Sequence, residues 1–260
     1  RMGGTLTDAG ISLKVDGSGN VYVGGYFYGT ADFDPGAGVV NLTSSGNNDF
    51  FIAKYDALGN YVFAKAIGNS GVDILAGLAI DGSGNIYTTG YFQNAVDFDP
   101  GAGTVNLTAT GGVDLFLAKY DASGNYVYAK RAGGTGSIVA NNIAVDASGN
   151  AYITGSFNST IDFDPGAGAA NLTSAGVEDV FVAKYDASGN YVFALRMGGT
   201  LTDAGVSLKV DGSGNVYVGG FFYGTADFDP GAGVANLTAV GGRDIFMTKL
   251  DARGSLLWAK

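Results

Sequence analysis

The chain contains no cysteine and no histidine, and among 260 residues it has one glutamate, one tryptophan, three methionines and four prolines. Without cysteine there is no disulfide framework and no thiolate metal site. Without histidine the commonest general base and transition-metal ligand is missing, which excludes Ser-His-Asp and Cys-His nucleophile systems. Basic residues number 14 against 24 acidic ones, a net charge of −10. That balance argues against nucleic acid, which is held by Lys/Arg-rich surfaces, and against anionic membranes. No apolar run approaches the roughly 20 residues of a spanning helix, so no membrane insertion is expected. No segment sustains a 3.6-residue period over helical length. A signal-peptide pattern is also missing, and the chain opens at Arg1, so the expectation is a processed product or a segment of something longer.

What is abundant is glycine, at 45 positions, with 15 tyrosines and 16 phenylalanines. The string Asp-Phe-Asp-Pro-Gly-Ala-Gly begins at Asp32, Asp97, Asp162 and Asp227, each step being 65 residues. The chain therefore reads as four copies, 1–65, 66–130, 131–195 and 196–260, without insertion or deletion. A fixed period of this size points to a repeat architecture. Chemistry that needs one unique constellation is hard to build from four equal parts.

Within copy one, short runs alternate with turn residues. Ile11-Ser-Leu-Lys-Val15 is followed by Asp16-Gly-Ser-Gly-Asn20, then by Val21-Tyr-Val-Gly-Gly-Tyr-Phe27. A longer connection holds Asp32-Phe-Asp-Pro-Gly36 and Asn41-Leu-Thr43. Phe50-Phe-Ile-Ala-Lys-Tyr55 and Tyr61-Val-Phe-Ala-Lys65 flank the turn Asp56-Ala-Leu-Gly-Asn60. Runs of four to seven β-branched or aromatic residues bounded by Gly, Asn and Asp predict four antiparallel strands per copy. Strands apolar on both faces, such as Phe50–Ala53, need cover on both sides. A radial stack of four-stranded sheets provides it, so the expected fold is an all-β propeller of four 65-residue blades. Half of an eight-bladed ring formed by two chains is the alternative.

The pattern Asp16-x-Ser-Gly-Asn-x-Tyr22, then Asp49-x-Phe-x-x-Lys54-x-Asp56, resembles the bacterial β-propeller repeats called SBBP, and the first hairpin is similar to the turn of NHL repeats. The resemblance runs through every copy and implies fold more than function. The family name implies seven blades, whereas this chain has four units and a long connection between its second and third strands.

Twenty of the 23 aspartates occupy five positions that recur in all four copies, the equivalents of Asp16, Asp32, Asp34, Asp49 and Asp56. Asp16 and Asp56 open tight turns, where a short carboxylate accepts backbone N–H groups. Asp49 precedes the third strand and Lys54 recurs within it, which suggests a hydrogen bond or ion pair between blades. Asp32 and Asp34 stand side by side in an extended segment, and Asp-x-Asp-x-Gly opens many oxygen-ligated Ca²⁺ loops. The candidate metal ligands are thus Asp32, Asp34, Asp97, Asp99, Asp162, Asp164, Asp227 and Asp229. The competing reading has the same carboxylates bonding backbone N–H groups of the Pro35-Gly36 turn. Asn41, Asn106, Asn171 and Asn236 each open an Asn-Leu-Thr sequon and Asn158 a fifth; strand-edge hydrogen bonding is the expected use of the recurring four. Recurring Tyr and Phe positions read as core rather than as sugar-stacking platforms.

No catalytic residue is expected, Trp258 and Glu178 being the only singletons of note. The functional expectation is a non-enzymatic extracellular or cell-surface bacterial scaffold, a tandem propeller or filament building block. Its partners would be copies of itself or neighbouring units of a longer chain. A multivalent lectin-like module binding carbohydrate is the alternative.

Overall fold

The computed structural model describes residues 1–260, and regular structure throughout is β. The chain divides into two compact units. The first comprises Arg1–Ala109 with Phe116–Lys130, the second Thr110–Leu115 with Arg131–Lys260.

In the first unit, copy one forms a four-stranded antiparallel sheet. Its order is Asp8–Val15, Val21–Phe27, Asp49–Tyr55 and Tyr61–Ile67. These are the four predicted strands, extended by up to three residues. Copy two pairs Ile74–Ile80 with Ile86–Phe92, and Asp114–Tyr120 and Tyr126–Gly134 are its third and fourth strands. In the second unit, copy three runs Ile138–Val145, Ala151–Phe157, Asp179–Tyr185 and Tyr191–Gly199 as successive antiparallel neighbours. Copy four does the same with Ala204–Val210, Val216–Asp227, Asn236–Leu250 and Leu256–Ala259.

Two more strands per copy lie in the long connection, which the pattern of runs does not predict. Thr30–Asp32 pairs with Asn41–Thr43, Ala95–Asp97 with Asn106–Thr108, and Thr160–Asp162 with Asn171–Thr173. In copy four the same pairing continues from the longer strands, Asp227 opposite Asn236. Glycines at the copy junctions add a third strand to the ribbon, Gly3–Gly4 beside Ala31 and Asp32, and Gly198–Gly199 beside Ala226 and Asp227. Gly4 has to be glycine, because a Cβ there would overlap the Thr30 carbonyl.

The first hairpin is closed by its aspartate. Asp16 Oδ1 accepts the N–H groups of Ser18 and Asn20, both at 2.9 Å, and Asp16 Oδ2 accepts the Asn20 amide at 2.8 Å. Gly19 supplies the left-handed residue at φ 84°.

Aromatic residues form the cores, as their recurrence suggests. In copy one Phe27, Phe33, Phe51 and Tyr55 pack together, with Phe33 4.8 Å from Phe51 and edge-on to Phe27 at 5.5 Å. A larger cluster joins both copies of the first unit: Tyr22, Phe50 and Ile52 from copy one meet Leu75, Leu78 and Phe116 from copy two. Phe50 and Phe116 stack at 4.7 Å and 12°. In the second unit Tyr152, Val180 and Val182 meet Leu208, Val218 and Phe246 in the same way.

Candidate carboxylate sites

The Asp-Phe-Asp-Pro-Gly connection is pinned to its own sheet by its middle residue. Phe33, Phe98, Phe163 and Phe228 are all buried. The buried Tyr55, Tyr120 and Tyr185 donate to the carbonyl oxygens of Phe33, Phe98 and Phe163 at 3.0, 3.2 and 3.0 Å; copy four has Leu250 at this position. Burial, with neighbouring Tyr61 and the Asp34 and Asp32 carboxylates adding to it, pushes the Tyr55 hydroxyl up to about 12.

With the phenylalanine inside, the flanking aspartates face the turn. Asp32 Oδ1 accepts the N–H groups of Asp34 at 3.0 Å and Val40 at 2.8 Å, and Asp34 Oδ1 accepts Gly36 N–H at 2.8 Å. The arrangement repeats to within 0.1 Å at Asp97 and Asp99, at Asp162 and Asp164, and at Asp227 and Asp229. The two backbone bonds, from Val40 and then Asp34, hold the Asp32 carboxyl below its ordinary value. A Cβ at Gly38 would overlap Asp34 Oδ2, and the equivalents Gly103, Gly168 and Gly233 are equally close. One oxygen of each candidate ligand is therefore committed to the turn, and no group of three or more acidic side chains comes together that could hold a metal ion. A shallow cleft of about 430 Å³ opens beside this turn, lined by Asp34, Pro35, Gly36, Gly59, Asn60 and Tyr61.

The aspartate before the third strand behaves differently. Asp49, Asp114 and Asp179 are buried, and the Oδ1 of each has no hydrogen-bond partner. Their Oδ2 atoms accept the N–H groups of Ser45, Thr110 and Ala175 at 2.9, 2.9 and 2.7 Å. Gly68, Gly133 and Gly198 press against the three carboxylates so closely that any Cβ would collide with them. Asp114 pairs with Arg131 at 2.6 Å and Asp179 with Arg196 at 2.8 Å. The equivalent residue in copy two is Ala66, so Asp49 lacks this cation. Asp49 instead has a second acid nearby: Asp73, which accepts the N–H groups of Asn69 at 2.8 Å and Gln93 at 3.2 Å. Burial, reinforced by the Asp49 charge, raises Asp73 to about 6, and burial raises Asp49 as well. Asp203 beside Asp179 is raised for the same two reasons. This acid pair was not visible as a motif, because its second member recurs only at Asp8, Asp73 and Asp203, with Ile138 in copy three.

The recurring lysine does not pair with this aspartate, but each makes a contact between copies, as expected: Asp114 with Arg131, Asp179 with Arg196, and Lys54 with the Ala122 carbonyl. Lys54, Lys119, Lys184 and Lys249 lie over the rings of Tyr22, Tyr87, Tyr152 and Tyr217 at 4.6–5.0 Å. The register places Tyr22 opposite Lys54, so the lysine stem folds onto its cross-strand neighbour. Lys54 also donates to the Ala122 carbonyl at 3.4 Å, a link from copy one to the hairpin of copy two. Both residues line a cleft of about 530 Å³ whose carboxylates, Asp16 and Asp81, already accept the backbone and side-chain amides of their own turns.

Residues 127–161 match the family model for the β-propeller repeat named SBBP. The chain is 25% identical over 240 residues to an uncharacterized WD repeat-containing protein of Acanthamoeba polyphaga mimivirus. It is 30% identical over 138 residues to the Regulatory protein FlaEY of Caulobacter vibrioides. The matches take in 81% and 53% of this chain but only 17% and 14% of those relatives.

Proposed function

From a chain that carries an SBBP-type β-propeller repeat, we propose that each 65-residue copy is one blade and that the protein is a non-enzymatic extracellular scaffold, repeated along a longer chain or fibre. The observation that carries the proposal is the state of the repeated carboxylates. In every copy one oxygen of each Asp-Phe-Asp carboxylate accepts N–H groups of its own turn, which is a structural use. Four near-equal copies without histidine or cysteine fit a device that multiplies a surface. Neighbouring units of the same protein are its partners in this reading, and the bacterial cell surface its place. Fold by itself carries no function, so the experiment is direct: electron microscopy of the native material, with hydrolase and oxidoreductase assays on the purified chain. Filaments or tandem rings without activity support the scaffold. A discrete soluble molecule with turnover overturns it.

A lectin-like module is the second reading, favoured by the cleft where Tyr61 stands beside Asp34 and Asn60, an aromatic face next to an acid and an amide. Saturable binding of a defined sugar by the isolated chain, abolished by Tyr61→Ala with its equivalents, would move the assignment there.

A further inference from the structure

Copies one and two meet inside the first unit, and two buried carboxylates stand at their junction. Asp49, 2% exposed, opens the third strand of copy one, and Asp73, 0% exposed, precedes the first strand of copy two. The Asp73 N–H donates to the Asn48 carbonyl at 2.8 Å, which fastens the two segments to each other. Each carboxylate also ties down backbone around it: Asp49 holds the N–H of Ser45, and Asp73 those of Asn69 and Gln93. The junction is therefore fastened through these two side chains.

Their surroundings supply no positive charge. Ser45 and Asn48 on the loop, Asn69 and Ser70 on the junction, Gln93 after the second strand of copy two and Ala66 on the fourth strand of copy one are all neutral. Lys65, beside Ala66, alternates to the other face of that strand. The ion pairs of the chain lie elsewhere, at Arg131 and Arg196. Asp49 Oδ1 has no hydrogen-bond partner, and Gly68 presses against it. An ionised carboxylate placed so lacks the donors it has in water, and burial favours its protonated form. The chain carries its own control: Asp114 has Arg131 as its partner and the uncharged Ile138 in the place of Asp73.

We propose that the Asp49–Asp73 pair is a proton-operated latch, which holds copies one and two together while it keeps a proton and lets their junction open as the medium turns from acid to alkaline. Burial, with the Asp49 charge adding to it, moves Asp73 from 3.8 to about 6, and burial raises Asp49 too. The closed junction therefore binds protons that the opened one has released. That stabilisation is complete below pH 3.8 and is lost as pH rises through about 6. Opening should become roughly tenfold more frequent between about pH 5 and pH 8. The two acids titrate as a unit, so the transition belongs to the pair.

Amide hydrogen exchange of the full chain tests it, read as protection factors so that the intrinsic pH dependence of exchange cancels. Protection at Ser45, Asn69, Asp73 and Gln93 should fall roughly tenfold from about pH 5 to pH 8. The corresponding amides beside Asp114, those of Thr110 and Ile138, should change less than about twofold over the same range. Asp73→Asn removes one of the two charges and should cut the loss at Ser45 to under about threefold. Should that variant not fold, Asp49→Asn replaces it and should move the loss at Asn69 and Gln93 to higher pH or abolish it. Equal protection at both pH values, an equal loss at Thr110 and Ile138, or a loss that the substitutions leave unchanged overturns the proposal. Exchange is read independently of any activity, so an enzyme found in the assays above would remove the scaffold reading without touching this one.

Discussion

The hydroxyl of Tyr120 donates to the main-chain carbonyl of Phe98, 22 residues earlier, and both residues are completely buried. A side chain of the sheet thereby closes the loop that leads to it. Tyr120→Phe keeps the ring and removes the hydrogen bond, leaving a buried carbonyl without its donor at a cost of about 1–3 kcal/mol. Urea unfolding at constant m-value measures it. Copy four, with leucine in place of the tyrosine, shows that the bond is not required in every copy.

Two glycines of one copy should respond in opposite ways to alanine. Gly38→Ala drives a Cβ into the Asp34 carboxylate and breaks its grip on the turn, whereas nothing lies within 4 Å of a Cβ at Gly17 and its φ is not left-handed. Gly17→Ala should be neutral or stabilising by up to about 1 kcal/mol through the unfolded chain, and Gly38→Ala destabilising by a similar amount or more. Melting temperatures of the two single variants decide it.

The copy-two junction is the place to add a charge. Ala66→Arg should supply Asp49 with the partner that Arg131 and Arg196 give to Asp114 and Asp179. Asp49 and Asp73 titrate above their unfolded value of 3.8, Asp73 at about 6. The folded state therefore holds protons that the unfolded state has lost, and this contribution to stability is full below pH 3.8 and falls away as pH rises toward 6. The arginine should offset that loss, raising stability by roughly 0.5–1 kcal/mol above pH 6, with the gain vanishing in acid. Melting curves of both proteins between pH 4 and 8 test the sign, and a gain that persists in acid would exclude charge pairing as its cause.

Calcium offers a clean test of the Asp32 and Asp34 pairs. Since one oxygen of each is held by turn N–H groups, chelator should leave the melting temperature unchanged, and adding Ca²⁺ should not raise it. A Ca²⁺-dependent rise abolished by changing both aspartates of each pair to asparagine would assign the cation to them.

The four main strands of each copy were legible because every boundary carries a residue whose backbone preference is strong: Asp16 with Gly19, Asp56 with Gly59. The ribbon Thr30–Asp32 with Asn41–Thr43 was not, since three residues are too few to show alternation. Of the candidate sites, the turn role of Asp16 could be read from a short-range motif, and its hydrogen bonds reach no further than six residues. The proximity of Asp49 to Asp73 spans 24 positions and a copy boundary, and only burial makes it consequential. Lys54 stands in the same strand as Asp49, but the pleat turns its side chain onto Tyr22 across the strand.

The cluster that holds Phe50, Leu78 and Phe116 belongs to no single copy. A lone 65-residue copy would keep its inner cluster of Phe27, Phe33, Phe51 and Tyr55 but own only half of this second core, and would expose that half to water. Gene duplication can lengthen this protein at almost no structural risk, because every added copy finds its missing half already in place.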